Sequence, residues 1–174
     1  MVLSLTAQNA LRPKRVLIKA GSVALTAASL AMVAGAFLAP WLASQDSTLA
    51  PHFYRFYGHI CHQNPSRTPL FFGHPAAACG RCLGIYLGFL AGCLLLLFRN
   101  PLRAKPPRPW AFILVSLPLG LDVLANALRV WDLGNWFRLA TGLAWGFILP
   151  FYALSGLVDL VLGKLAIRGR FRIE

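Results

Sequence analysis

Four apolar stretches, each close to or above the roughly 20 helical residues that cross the hydrocarbon core of a bilayer, constrain this chain more than any other feature. They run from about Gly21 to Ala43, Cys82 to Phe98, Trp110 to Leu128 and Leu139 to Gly163. Inside hydrocarbon the backbone amides must be bonded within their own segment, so isolated spans of this length are helices. Composition points the same way: 57% of the 174 residues are hydrophobic and only 13% are charged, against about 25% charged in soluble domains. The predicted fold class is all-α, an integral membrane bundle of four transmembrane helices with one long outward loop.

The first stretch follows Arg12, Lys14, Arg15 and Lys19 and contains the small residues Ala34-Gly35-Ala36, features shared with a secretory signal. Its apolar run exceeds the roughly 7–15 residues of a signal core, so it reads as an uncleaved helix.

The formal net charge of +12 would suit nucleic acid if it were clustered on one surface. Instead the basic residues fall into blocks at Arg12 to Lys19, at Arg99, Arg103, Lys105 and Arg108, and at Lys164, Arg168, Arg170 and Arg172. With four crossings these blocks share one side of the membrane, leaving only Arg55, Arg67, Arg81, Arg129 and Arg138 elsewhere. The positive-inside rule then places both termini in the cytoplasm. The expected localisation is the cell inner membrane, multi-pass, with anionic lipid on the cytoplasmic side as partner and no nucleic acid.

Along the chain, residues 1–15 read as a basic cytoplasmic tail and residues 16–174 as a single four-helix membrane domain, with helices at about 21–43, 82–98, 110–128 and 139–163. Residues 44–78 form the outer loop. Within it Phe53-Tyr54-Arg55-Phe56-Tyr57 is aromatic and basic, and predicts a short interfacial helix. Asn64-Pro65-Ser66 and Gly73-His74-Pro75 are turn sequences that fold the loop back and bring Cys61 towards Cys79 and Cys82. Pro101, Pro106, Pro107 and Pro109 predict a stiff extended connection, and residues 129–137 a tight outer turn.

The chemistry-bearing residues lie between Cys61 and Cys82. Cys79 and Cys82 form a C-x-x-C pair, able to take adjacent corners of a metal tetrahedron or to close a disulfide. Cys61 and one histidine would complete the three-sulfur, one-nitrogen set of structural zinc sites. His62 is nearest in sequence, His59 is the alternative ligand, and His74 is a weaker one. Three readings compete: a metal site, a redox dithiol of Cys79 and Cys82, favoured by an oxidising outer face, and a plain structural disulfide. Cys93, among leucines, reads as a small buried hydrophobe.

Ionisable groups within a span are costly and mark function by default. Asp122, Asn126 and Arg129 share one face of the third helix, predicting an Asp122–Arg129 ion pair with Asn126 between them. Asn135, Arg138 and Thr141 recur every three residues at the start of the fourth helix. These groups either lock the two helices together or wall a polar cavity beneath the Cys/His loop, where Arg81, Arg129 and Arg138 would hold an anionic head group. Asp122, Arg129 and Arg138 are then the catalytic candidates. Asp159, beside Lys164, reads as an interfacial pair.

Taken together, Cys61-His62-Gln63, Pro65-x-Arg67, Cys79-x-Arg81-Cys82-x-Gly84-Ile85-Tyr86-x-Gly88, Leu121-Asp122 and Asn135-x-x-Arg138-x-x-Thr141-Gly142 resemble the domain of unknown function 2085 family of small prokaryotic membrane proteins. The resemblance runs from about Tyr57 to Gly146. It implies a multi-helix membrane protein and the importance of these residues, and leaves the chemistry open. Where the family pattern has a serine after the arginine, this chain has Thr68, which keeps the hydroxyl.

The leading expectation is an outward-facing zinc site of Cys61, His62, Cys79 and Cys82 above the polar cavity, acting on a lipid-linked or small anionic substrate if the metal keeps an open position. The alternatives are a membrane thiol-disulfide oxidoreductase using Cys79 and Cys82, and a metal-binding or transport protein without catalysis.

Overall fold

In the computed structural model, residues 5–99, 106–128 and 134–170 are described, with side chains placed for 16–99, 106–128, 134–157, 159 and 160. Among the described residues five helices follow in chain order: α1 (Leu5–Ser44), α2 (Ala50–Gly58), α3 (Gly80–Phe98), α4 (Pro109–Ala127) and α5 (Gly134–Arg170). Among the described residues, four segments are long and apolar enough to cross a membrane: Val16–Ser44 of α1, α3, α4, and Gly134–Leu157 of α5. The protein is an all-α membrane bundle.

The helices extend beyond the apolar runs that announce them. Hydropathy marks where apolar residues stop, not where helical backbone stops, so α1 is already helical at Leu5, within the segment read as a tail, and α5 starts at Gly134 rather than near Leu139. Gly134 has φ +80°, a left-handed conformation that costs a glycine little. Pro106 to Arg108 are irregular backbone leading into α4; residues 101–105 and 129–133, including Arg129, lie outside the described residues.

Most of the bundle's packing is between α3 and α5, with α1 against α3 and α4 against the outside of α5. The α3–α5 seam is built on glycine. A Cβ at Gly84, Gly88 or Gly92 would run into the backbone carbonyls of Leu139, Leu143 and Phe147, and one at Gly142 or Gly146 into those of Arg81 and Ile85. Small residues four apart let two membrane helices approach to backbone contact, and van der Waals packing then replaces the hydrophobic effect that lipid cannot supply.

α4 is peripheral. Ile113, Leu114, Leu117, Leu121 and Leu124 are exposed, as suits a lipid-facing surface, and Asp122 is its one buried residue. Trp145 Nε1 donates to Ser116 Oγ at 3.0 Å and Tyr152 Oη to the Pro107 carbonyl at 2.9 Å, fastening α5 to α4 and to its approach. Two apolar clusters fill the interior. Ile18, Leu96 and Leu154 pack at one end of α3, and Ala36, Ala39, Tyr57, Cys61, Ala77, Ala78 and Leu83 at the other.

Candidate metal centre

The segment between α1 and α3 is folded by local bonds that deliver Cys61 to the start of α3. At the end of α2 the Cys61 amide donates to the Tyr57 carbonyl at 2.8 Å, carrying the helical turn on to the cysteine. The Tyr57 ring is buried, stands over Gly35 of α1, and donates its hydroxyl to the Met32 carbonyl. Gln63, at φ +46°, then reverses the chain. Its Nε2 donates to the Tyr54 and Ala77 carbonyls, each at 2.8 Å, so one side chain joins α2 to the strand of chain that enters α3.

Asn64 caps a single 3-10 turn, Pro65–Arg67, through its Oδ1, and Thr68 Oγ1 closes it by donating to the Asn64 carbonyl at 2.7 Å. A minimal hairpin follows, β1 (Leu70–Phe71) antiparallel to β2 (His74–Pro75). Its connection, Phe72-Gly73, has positive φ at both residues, the requirement of a tight turn matched to strand twist. Tyr54 Oη donates to the Pro75 carbonyl at 2.6 Å, and the Ala77 amide to the Ala36 carbonyl at 3.4 Å. The loop is thus sewn to α1 and α2.

Cys79 is the N-cap of α3, with extended backbone and no side-chain capping bond, so its thiol is available for other work. Cys82, three residues on, lies on the same side of the first turn. The sulfurs of Cys61, Cys79 and Cys82 all lie within 4.8 Å of one another, Cys61 buried and the other two half-buried. All are free thiols. Cys61 Sγ accepts the Cys79 amide at 3.2 Å and the Gln63 amide at 3.5 Å. Hydrogen bonds from the Cys79 and Cys82 thiols, with these amides, hold the Cys61 thiol far below its ordinary range, against the opposing effect of burial. Donors directed at a sulfur favour its thiolate form, the form that binds metal.

The surroundings are apolar: Cys61 belongs to a buried cluster with Ala36, Ala39, Tyr57, Ala77, Ala78 and Leu83, against which Cys79 and Cys82 pack. The histidines stand apart. His62 and His59 are exposed, with His59 Nδ1 at 2.7 Å from the Arg55 carbonyl, and His74 is half-buried in β2. Among the described residues the converging donor atoms are the three sulfurs alone. Cys93 is buried midway along α3, outside the group.

The intramembrane polar residues form a connected network. Asp122, with no exposed surface, pairs with Arg81 of α3. Its Oδ1 accepts Asn126 Nδ2 at 3.0 Å. Asn126 Oδ1 in turn accepts Arg138 Nη2 at 2.6 Å, and Asn135 Oδ1 accepts Arg138 Nη1 at 3.1 Å. Thr141 Oγ1 bonds back to its own helix at Phe137 and Arg138. Both Asp122 carboxylate oxygens are thus engaged, by Arg81 and Asn126; Arg129, the partner expected from the helical stripe, lies outside the described residues. Helical periodicity reveals neighbours on one helix and is blind to a partner on the next. Asp159 is exposed.

The predicted membrane protein (DUF2085) family model matches residues 61–152, more than half of the chain, starting at the first cysteine of the cluster. The chain belongs to this family. An uncharacterised protein of Methanocaldococcus jannaschii is 33% identical over 135 residues, covering 74% of this chain and 86% of the relative. An uncharacterised protein of Methanothermobacter thermautotrophicus is 33% identical over 88 residues, covering 51% of this chain and 78% of the relative. No solved structure matches. Within this DUF2085 protein the matched region holds the three cysteines, the Arg81–Asp122 pair and the glycine seam, while α1 and α2 lie outside it.

Two features escaped the reading of residues alone. Gln63 stood in a recognised motif without a role, and nothing in an isolated glutamine signals a two-carbonyl clasp. The repeat Gly84, Gly88, Gly92 was visible at its four-residue spacing, with Gly142 and Gly146 as its counterpart.

Proposed function

We propose that this protein is a metal-thiolate membrane protein of the cell inner membrane, in which Cys61, Cys79 and Cys82 hold one zinc ion at the outer face, with both termini cytoplasmic. One observation carries the reading: three sulfurs from two segments 18 residues apart converge within 4.8 Å. Tetrahedral zinc, with Zn–S of about 2.3 Å, holds its sulfurs about 3.8 Å apart, so the three need close only slightly. The backbone amides directed at Cys61 are the outer-sphere partners that steady a metal-bound sulfur. His62, next to Cys61 and exposed, supplies the fourth ligand. The segregation of basic residues supports the orientation, and the cytoplasmic blocks meet anionic lipid.

The ion's role in this reading is to clamp the loop to α3. The surroundings of the sulfurs are apolar, and Arg81, Asp122, Asn126, Arg138 and Asn135 are joined in one polar chain linking α3, α4 and α5, which favours a lock between helices over a catalytic pocket for an anionic or lipid-linked ligand. Cobalt(II) substitution tests the site. Full-length protein in detergent should show sulfur-to-cobalt charge-transfer absorption that weakens on replacing Cys61, Cys79 or Cys82 by serine and is unchanged in Cys93→Ser. Absence of that absorption, with a Cys79–Cys82 disulfide in the purified protein, would transfer the assignment to the thiol-disulfide oxidoreductase class.

A further inference from the structure

We propose that the three-sulfur cage also binds trivalent thiophilic oxyacids of the arsenite class, as a neutral tris-thiolate complex. The inference rests on the reading above that the three sulfurs act as one ligand set, and it differs in the charge and coordination number of the guest.

Donor count is the first argument. Among the described residues, three sulfurs converge and no histidine nitrogen or carboxylate oxygen joins them. A divalent ion seeking a tetrahedron must find a fourth ligand. Trivalent arsenic carries a lone pair in place of a fourth bond and is complete with three sulfurs. All-sulfur ligation also selects thiophilic guests over hard ones.

Charge is the second argument. Bound as thiolates, the three cysteines carry three negative charges into the buried apolar cluster of Ala36, Ala39, Tyr57, Ala77, Ala78 and Leu83, to which Cys61 belongs and against which Cys79 and Cys82 pack. Arg81, the cation within the C-x-x-C turn, is committed to Asp122 on α4. A monovalent guest leaves two negative charges among these groups, a divalent guest leaves one, and a trivalent guest leaves none. Uncompensated charge in an apolar setting is costly, so the neutral complex is the one this cage solvates best.

The binding step balances without a redox partner. Each of three thiols loses its S–H proton, each of the three hydroxyls of arsenous acid leaves as water, and three As–S bonds form. Arsenic remains trivalent and sulfur stays at its thiol oxidation level. Access is through Cys79 and Cys82, both half-buried, and the fold has already gathered the three sulfurs, which lowers the entropic cost of chelation.

The test uses reduced, chelator-treated full-length protein in detergent, titrated in parallel with sodium arsenite and with zinc. The expected result is one arsenic per chain retained through desalting, with Cys61, Cys79 and Cys82 protected together from alkylation, as read by peptide mass spectrometry of the unmutated protein. His62→Ala should lower zinc affinity by roughly tenfold or more, the usual scale for disturbing a metal's ligand environment, and leave arsenite affinity within about twofold. Zinc binding without arsenite binding overturns this inference and leaves the metal site standing. Protection of Cys79 and Cys82 alone, or equal loss of arsenite affinity in His62→Ala, overturns it by showing a different ligand set. Binding of neither guest removes both readings.

Discussion

Arg81, lying between the two cysteines of the C-x-x-C turn, forms an ion pair with Asp122, a side chain on α4 with no exposed surface. The pair ties the first turn of α3, where Cys79 and Cys82 sit, to a helix that otherwise packs only on α5 among the larger contacts. Removing one partner of a buried pair strands the other charge, at a cost of about 3–5 kcal/mol. Asp122→Asn and Arg81→Gln should each lower Tm in detergent strongly, whereas Arg81→Met with Asp122→Leu should cost much less than their sum. A double-mutant cycle should give a coupling of about 0.5–3 kcal/mol. Simple additivity would show that the two residues act independently.

The glycine seam yields a sharp contrast. Gly88→Ala places a Cβ against the Leu143 carbonyl, while at Gly120, on α4, an added Cβ meets nothing within 4 Å. Overpacking costs typically about 1–3 kcal/mol, and here the opposing atoms are backbone, which cannot rotate away. Gly88→Ala should therefore lower Tm and folded yield, with Gly120→Ala within about 0.5 kcal/mol of the parent. Equal Tm values for the two variants would contradict the close α3–α5 approach.

Much of this architecture was legible in the chain. Long apolar runs force helices because lipid offers the backbone no partners, and the turn residues Asn64-Pro65 and Gly73 made the return of Cys61 towards Cys79 foreseeable. Relationships between elements were not. Asp122 and Asn126 do share a helical face, and Asp122 also pairs across the bundle with Arg81, because a stripe carries no information about the neighbouring helix. Helical backbone also runs beyond the apolar runs, to Leu5 and Gly134, because polarity ends an apolar run without ending a helix.

Gln63 gives a test confined to the loop. Its amide nitrogen serves two carbonyls at once, and Gln63→Glu keeps size and shape while losing the donors. Leaving two acceptors without this partner should cost about 1–3 kcal/mol. The expected outcome is a lower Tm together with faster hydrogen exchange in the α2 to α3 connection. Unchanged exchange there would show that the clasp does not hold the loop.

Topology can be checked in intact cells with a membrane-impermeant maleimide, in a background with the four native cysteines replaced. Gln45→Cys should label and Arg108→Cys should label only after permeabilisation. The reverse pattern would invert the orientation and place the sulfur cluster on the cytoplasmic side.

The most direct measurement is metal content combined with a free-thiol count on full-length protein purified under mild, chelator-free conditions. The account predicts one zinc per chain and three thiols that react only after acid or chelator removes the metal, because protons compete with zinc for thiolate. Cys61→Ser, Cys79→Ser and Cys82→Ser should each lose most of the zinc, with Cys93→Ser retaining it. Protein that is fully folded, free of zinc and immediately reactive at Cys61, Cys79 and Cys82 would contradict the account.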